Sequence, residues 1–281
     1  MSKLWGKVAF SIPEKIEKFC NEEDRLIDNR LALLDIKLNL VYSKMLMKQG
    51  IIGKDEFKII ELGFLELEKK YEAELIIEER FEDIHSKIEF DLIEIIGELG
   101  KKIHAGKSRN DQIISLLKIY YKNELEKIKH VLAEIAEKSL IQADKFEKSL
   151  IPGYTHTQIA MPSSGALWFG GFAEGILEEI EKIDLLKKTI DYSPLGSAAG
   201  YGSSFDINRE YLAKELNFKD INITSTFAQF SRQKTDKTLA FIIGSISENI
   251  NKFCSDIILF NSQNFGIITL DEAYTTGSSI M

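Results

Sequence analysis

The feature that most constrains the fold is a long stretch of helical spacing, free of proline and glycine, that follows residue 108. Positions at steps of three and four recur along it, namely Ile114, Leu117, Tyr121, Leu125, Ile128, Leu132, Ile135 and Ser139. The pattern predicts one helix from Arg109 to about Phe146, roughly 55 Å long at about 1.5 Å per residue. A small globular domain has no need of such a helix, so a long bundle or an oligomeric core is indicated.

Helical spacing also dominates the remainder of the chain, so the sequence predicts an all-α fold. Several medium helices are expected between Glu14 and Leu99, and further long helices over residues 165–192 and 224–265, separated by polar, glycine-rich loops. One such loop covers Gly97 to Gln112. We therefore expect an amino-terminal helical domain at residues 1–106 and a long-helix bundle domain at residues 107–281.

Glycines interrupt the second long helical stretch at positions 165, 170, 171 and 175. In an isolated helix each would cost roughly 1 kcal/mol relative to alanine. We expect close approach of a neighbouring helix to compensate for this cost.

Charge and cysteine content narrow the class of protein. The formal net charge is −8, which argues against a nucleic-acid-binding role and requires a local cluster for any anionic ligand. Cys20 and Cys254 lack metal-ligand spacing, so we expect buried free thiols in a reducing compartment. The amino terminus has no apolar signal region and no apolar stretch approaches membrane length, which predicts a cytoplasmic protein without a membrane span.

Two polar motifs could carry chemistry. Ser108 and Asp111 have the spacing of a capping box, and "SRND" at a helix start offers donors suited to a carboxylate or phosphate; an ordinary cap with a surface arginine is the alternative. "GYTHTQ" places His156 between Thr155 and Gln158 in a turn, where a histidine can act as acid or base near neutral pH. A solvated loop histidine would look the same.

A third polar stretch, "SPLGSAAGYG", begins at Ser193. It could bring backbone amides and Ser197 close to a ligand. It could equally serve as a flexible connector, since glycine and serine are typical of linkers.

The combination of motifs is more specific than any one of them. In order and spacing, "GKKIHAGKSRNDQ", "PGYTHTQ", "SPLGSAAGYG" and "SQNFGIITLDEAYTTGSSIM" resemble the argininosuccinate lyase family of the fumarase and aspartase superfamily. The resemblance covers nearly the whole chain. It implies a homotetramer with a central bundle of long helices and active sites shared between subunits. The implied reaction is reversible elimination of arginine from argininosuccinate to leave fumarate, in arginine biosynthesis, with no metal or organic cofactor.

The resemblance also implies residue roles. Ser278 matches the base that removes the Cβ proton, with Ser279 as the alternative if the register differs by one. His156 matches the histidine of the catalytic loop, with a role in acid-base support. Substrate-contacting positions of the family match Thr155, Ser108, Arg109, Asn110, Gln158 and His85, although a histidine on a helix surface is the ordinary interpretation of His85.

These roles are physically consistent with an elimination. Removing a proton beside a carboxylate builds a dianionic intermediate, which preorganised donors stabilise more than they stabilise the ground state. Arg109, Asn110 and Thr155 are suited to that task. A serine is a poor base at its ordinary pKa, so Ser278 needs positive charge or donors nearby.

Departures from the family pattern affect three places. Lys107 stands where many members have arginine, which keeps the charge but loses the bidentate fork. Asp24 lies near a place where several members have serine. The family sequence continues beyond "GSSIM", so Ser278 would lie on an unanchored end, and we expect little or no activity from these 281 residues alone.

Alternative functions stay open at this point. Another lyase of the superfamily, such as adenylosuccinate lyase, would share the fold and the serine loop. A non-catalytic helical assembly protein is an alternative of a different class.

Overall fold

The computed structural model describes residues 13–277, apart from the side chains of Glu14, Cys20 and Asp24. Of the described residues 69% are helical and 6% lie in strands, which confirms the predicted all-α class. The helices in this range are α1 (Glu14–Asp28), α2 (Ala32–Lys48), α3 (Lys54–Ala73), α4 (Ile84–Ile96), α5 (Arg109–Lys145), α6 (Gly165–Ile190), α7 (Arg209–Glu215), α8 (Ser225–Phe230) and α9 (Arg232–Phe260). Shorter 3₁₀ segments are Asn29–Leu31, Gly97–His104 and Glu272–Tyr274.

Helix α5 confirms the long helix that the sequence predicts from Arg109. It begins at Arg109, as the capping pattern predicts, and ends at Lys145, one residue before the predicted end. Its 37 residues make it the longest helix of the described chain.

Strands occur at two places in the described chain. β1 (Leu150–Thr155) and β2 (Gln158–Ser164) form an antiparallel hairpin, and β3 (Tyr192–Ser193) pairs in parallel with β4 (Asp220–Ile221). The hairpin corrects the expectation of a loop between the first two long helices. Its strands can pair because a two-residue turn at His156 and Thr157 reverses the chain.

The chain divides into two compact units. Unit 1 comprises Met1–Lys122 and Asp191–Arg232, and unit 2 comprises Asn123–Ile190 and Gln233–Met281. This division passes through α5. The domain boundary expected between residues 106 and 107 stays a prediction.

The core of unit 1 lies among α2, α3 and α4. Tyr42, Phe64 and Leu92 are fully buried there, and each large apolar side chain that leaves water contributes about 1.5–3 kcal/mol to folding. Gly63 allows α3 to approach α4 closely, because a Cβ at this position would lie 2.8 Å from side-chain atoms of both Leu92 and Ile96.

Aromatic side chains join α6 to α9 in unit 2. The ring centroid of Trp168 lies 5.1 Å from that of Phe253 and 5.2 Å from that of Phe260. Its Nε1 donates a hydrogen bond to Asp256 Oδ2 at 3.1 Å. The large apolar ring is thus packed while its polar atom is satisfied.

The glycines of α6 only partly follow the expectation of close packing. A Cβ at Gly165 would lie 2.6 Å from Phe146 Cβ, and one at Gly175 would lie 3.2 Å from Asn249 Oδ1. Within the described chain no neighbouring helix approaches Gly170 or Gly171, since no atom from outside the local helix lies within 4 Å of a Cβ built there.

A buried carboxylate also links α6 to α9. Glu179 is 1% exposed, and its Oε1 accepts hydrogen bonds from Lys182 Nζ at 2.9 Å, Ser245 Oγ at 2.8 Å and Asn249 Nδ2 at 2.8 Å. A buried charge must find donors. Because α6 and α9 supply these donors, the cluster favours the packing of α6 against α9.

Three further expectations are corrected. The long stretch from residue 224 divides into α8 and α9 at Ser231, whose Oγ donates to the Ala228 carbonyl at 2.8 Å. The loop expected from Gly97 to Gln112 begins with a 3₁₀ helix, Gly97–His104. Cys254 is exposed instead of buried.

As for membranes, none of the helices described here combines the length and apolar character of a span.

Candidate active site

The start of α5 is capped by side chains on both sides of its first turn. Ser108 Oγ accepts the backbone N–H of Asn110 at 3.2 Å, and Asp111 Oδ1 accepts the backbone N–H of Ser108 at 3.0 Å. The reciprocal cap is therefore present, although the serine bonds one residue earlier than in a standard capping box. A helix amino terminus carries partial positive charge, so this end of α5 favours a carboxylate.

Arg109 is anchored by the start of α4. Its Nη1 donates to Asp83 Oδ2 at 2.7 Å, and its Nη2 donates to Ser86 Oγ at 2.9 Å. Asp83 is itself the N-cap of α4, because its Oδ1 accepts the backbone N–H of Ser86 at 2.8 Å. One carboxylate thus caps a helix and orients the guanidinium.

His85 lies in a buried polar network and not on a helix surface. It is 5% exposed, and its Nδ1 lies 2.7 Å from Oδ2 of Asp35, which is 0% exposed. Gln112 Nε2 donates to the other Asp35 oxygen at 2.6 Å. The opposite ring nitrogen, Nε2, is buried and has no hydrogen-bond partner among the described residues.

The two charges of this pair stabilise each other. Burial alone would raise the pKa of Asp35, but the His85 imidazolium, together with Lys107 and the hydrogen bond from Gln112, holds that pKa below its ordinary value. Burial alone would lower the pKa of His85, but the carboxylate outweighs burial and raises it. The imidazolium is therefore favoured, with a proton on each ring nitrogen.

Basic side chains line a cleft beside the start of α5. The cleft has a volume of about 450 Å³, and its lining residues are His104, Lys107, Ser108, Arg109 and Asn110. Lys107 Nζ donates to Asn39 Oδ1 and lies 5.0 Å from the ring centroid of Tyr42. Burial lowers the pKa of Lys107 to about 8, although neighbouring carboxylates oppose the shift.

His104 differs from His85 in its charge. Its Nε2 lies 2.9 Å from Glu89 Oε2. Burial lowers the pKa of His104 below its ordinary value, and the hydrogen bond with Glu89 does not compensate. The neutral imidazole is therefore favoured, so Lys107 supplies more of the positive charge in the cleft.

The glycine-rich stretch from Ser193 is fixed to the same helix end. Asp111 Oδ2 accepts the backbone N–H groups of Gly196 and Ala198, both at 2.9 Å. Ser197 between them is fully buried. The stretch is thus an ordered part of unit 1, which disfavours the linker interpretation.

The second predicted motif forms the turn of the hairpin in unit 2. His156 and Thr157 have φ angles of 52° and 61°, and the flanking residues Thr155 and Gln158 are cross-strand partners. Two positive φ angles are the mark of a tight type I′ hairpin turn. His156 is exposed at its tip.

The structure brings together only part of the predicted site. His85, Ser108, Arg109 and Asn110 lie in unit 1, around the start of α5 and its neighbour α4. Thr155, His156 and Gln158 lie on the hairpin of unit 2. Ser278 and Ser279 lie outside the described residues.

Sequence reasoning missed several residues of unit 1, namely Asp35, Asp83, Gln112 and Asn39. Asp83 had a usable signal, because an aspartate directly before the first apolar position of a helical pattern, here Ile84, is typical of an N-cap. Asp35 had no such signal, because sequence alone cannot show which side chain a single aspartate in helix α2 will contact. As for metals, no group of three or more potential ligands is found among residues 13–277.

Comparison with known proteins places this chain in the lyase class: a protein-family model described as Lyase matches residues 9–281. Curated argininosuccinate lyases of Parabacteroides distasonis and Bacteroides thetaiotaomicron are 37% and 39% identical to the chain, over 99% of it and 63% of their own length. The argininosuccinate lyase of Thermotoga neapolitana is 38% identical over 99% of the chain and 70% of its own length. The chain belongs to the argininosuccinate lyase family, and it spans less than two thirds of the first two relatives.

Solved structures agree on the fold. The crystal structure of EDDS lyase in complex with formate has a TM-score of 0.83 at 20% identity, over 98% of this chain and 54% of that one. The fumarate lyase:delta crystallin of Brucella melitensis, bound to cobalt, has a TM-score of 0.76 at 14% identity, over 98% of this chain and 63% of that one. At such identities the likeness concerns the fold alone.

Proposed function

We propose that the protein cleaves argininosuccinate to arginine and fumarate by reversible β-elimination, as a step of arginine biosynthesis in the cytoplasm. The observation that carries the proposal is a sequence identity of 37–39% to argininosuccinate lyases over nearly the whole chain. The buried histidine and the carboxylate-favouring end of α5 support it, because the substrate and fumarate are both carboxylates.

The reaction needs a base on one side of the scissile bond and a proton for the departing nitrogen. The base removes a proton from the substrate Cβ, and the electron pair shifts into the neighbouring carboxylate to give a dianion. The pair then returns to form the C=C bond of fumarate as the Cα–N bond breaks. The guanidino nitrogen leaves with the bond electrons and takes up a proton.

The described residues can hold the developing charge. Ser108 and Asn110 offer donors at the start of α5, and Lys107 adds a cation in the same cleft. His85 presents a favoured imidazolium whose Nε2 has no partner in the described chain. We assign to His85 the binding of a substrate carboxylate, and to Arg109 a supporting contact in an orientation set by Asp83.

The remaining assignments come from family resemblance. Ser278 is proposed as the base and His156 as its acid-base partner, while Thr155 and Gln158 contact the substrate. Ser279 stays the alternative to Ser278. No metal or organic cofactor is assigned.

A homotetramer with shared active sites is part of the proposal. Large apolar side chains are exposed on α5, α6 and α9 in the single chain, among them Leu140, Leu185 and Phe241. Such side chains on long helices are suited to a bundle with other copies. Sedimentation equilibrium tests the tetramer, and a monomer at all concentrations would contradict it.

A direct assay tests the activity. Argininosuccinate and, separately, adenylosuccinate are mixed with the protein, and fumarate is followed by ultraviolet absorbance. The assay is run on the 281-residue chain and on a chimera in which the part of the Thermotoga neapolitana relative beyond the match follows it. Fumarate release from argininosuccinate by either protein supports the proposal, whereas release from adenylosuccinate alone, or from neither substrate, would overturn it.

A further inference from the structure

We propose that Asp111 is a positioning residue that joins the stretch Ser193–Gly202, here named the glycine loop, to the start of α5. In this way it would hold Ser108 and Asn110 in the arrangement that binds a substrate carboxylate. The inference rests on the proposed function, but its first test does not depend on activity.

The two carboxylate oxygens of Asp111 serve different elements. Oδ1 accepts the backbone N–H of Ser108 at 3.0 Å, on the side of α5. Oδ2 accepts the N–H groups of Gly196 and Ala198, both at 2.9 Å, on the side of the glycine loop. Asp111 itself is 0% exposed. One side chain therefore couples the helix end to a segment about 85 positions away in sequence, through donors that cannot be replaced by side-chain substitution.

The glycine loop has a conformation that needs such support. Gly196 has a φ of 90°, and Ala198 has a φ of 51°, which is unfavourable for a residue with a Cβ. Strained backbone of this kind persists only where its surroundings determine it. Gln229 Nε2 donates to the Ala198 carbonyl at 3.0 Å, so α8 and Asp111 hold the same residue from both of its backbone polar groups.

The surroundings of Asp111 disfavour the charge of its carboxylate. Burial raises the pKa of Asp111 to about 6, despite three backbone donors that oppose the shift. The charged or titratable groups that face it are Tyr42, Lys107 and Arg209. Since the folded pKa lies above the ordinary value, the ionised form lowers the stability of the fold at neutral pH. A carboxylate retained at such a cost is typical of a site that serves function.

Hydrogen exchange tests the link directly. Asp111→Ala removes all three acceptor contacts, so the protection factors of the Gly196 and Ala198 amides should fall at least about tenfold. The amide of Phe218, which donates to the Ala213 carbonyl at 2.8 Å outside the glycine loop, is the internal control and should keep its protection. Unchanged exchange at Gly196 and Ala198 would overturn the proposal.

Substrate binding separates a positioning role from a merely structural one. Asp111→Ala should lower kcat/KM for argininosuccinate at least about tenfold, through a rise in KM together with a fall in kcat, because Ser108 and Asn110 bind the substrate carboxylate and also hold the charge that develops on it. The matched control is Asn208→Ala, which removes the side-chain cap of α7 in the same unit. Faster exchange with an unchanged kcat/KM, or an equal fall in kcat/KM for Asn208→Ala, would show a structural link only.

Two provisions keep the test decisive. If Asp111→Ala does not fold, Asp111→Asn retains the shape and one acceptor, and smaller changes in the same direction are expected. If neither the 281-residue chain nor the chimera turns over argininosuccinate, the proposed function fails, and the Kd of fumarate by calorimetry replaces kcat/KM. A Kd that is unchanged in the variant would then overturn the positioning role.

Discussion

Asp35 and His85 form an ion pair inside unit 1, with 2.7 Å between the carboxylate Oδ2 and the imidazole Nδ1. Neither side chain is more than 4% exposed. The pair sets the charge of His85, the predicted site histidine that is buried in unit 1. Its consequences can be measured without substrate.

Asp35→Asn should lower the free energy of unfolding by about 3–5 kcal/mol, because it leaves a buried imidazolium without its counter-charge. The raised pKa of His85 gives stability that is present below its ordinary pKa and lost as pH rises through the folded value. The variant should therefore lose less stability than the unmodified protein between about pH 6 and about pH 9. Urea denaturation across that range measures both effects.

The control for Asp35→Asn is His130→Asn. The side chain of His130 is 77% exposed beside Glu134, so its removal should leave the free energy of unfolding nearly unchanged. Parallel pH curves for Asp35→Asn and the unmodified protein would mean that the pair does not control the charge of His85.

Lys107→Arg should extend anion binding to higher pH. The pKa of Lys107 is lowered to about 8 by burial, so its charge is lost as pH rises through that value and the affinity for fumarate should fall. Arginine stays charged at any such pH. We expect a fumarate Kd that rises several-fold between about pH 7 and about pH 9 in the unmodified protein and rises less in Lys107→Arg, in which only the charge of His85 is lost over that range. Lys107→Met should bind weakly throughout, and calorimetry that finds all three alike would exclude Lys107 from the site.

His156→Asn should separate the chemistry of the hairpin from its shape. Asparagine tolerates the positive φ of 52° found at this position, so the turn should persist and the melting temperature should be unchanged. The proposed acid-base role would be lost, which predicts a fall in kcat of about 100-fold or more. Thr157→Gly, which also suits its positive φ, is the control and should keep kcat. Equal kcat values for the two variants would count against a catalytic role.

Glu179→Gln should destabilise unit 2 by about 1–3 kcal/mol, because it weakens the buried acceptor shared by Lys182, Ser245 and Asn249. Glu178 also pairs with Lys182, but its side chain is 68% exposed. Glu178→Gln should therefore change stability by less than about 0.5 kcal/mol. Thermal or urea unfolding distinguishes the two, and equal effects would mean that burial of Glu179 contributes nothing.

Local signals in the sequence predict local structure well in this chain. The start of α5 at Arg109 follows from a cap residue and its reciprocal partner, which are close in sequence and act within one turn. The hairpin was missed because its turn uses His156 and Thr157 at positive φ, where glycine or asparagine is the usual sequence signal.

Partners distant in sequence could not be predicted. His85 was singled out by family resemblance, but its partner Asp35 lies 50 positions earlier. The pair forms because α2 and α4 pack in the same core, and no periodic pattern encodes which side chains then meet. The same reason explains why Asp111 was interpreted as a cap alone, since its contacts with Gly196 and Ala198 depend on the folding of unit 1.

The double use of Asp83 restricts how this protein can evolve. Its Oδ1 caps α4 through Ser86, while its Oδ2 holds the guanidinium of Arg109. A single substitution at Asp83 removes both contacts at once, and no one compensating change elsewhere restores both. Few substitutions at Asp83 are therefore expected to be neutral. A lineage that alters the specificity of this site can substitute Lys107 more easily than Asp83, whose carboxylate orients Arg109.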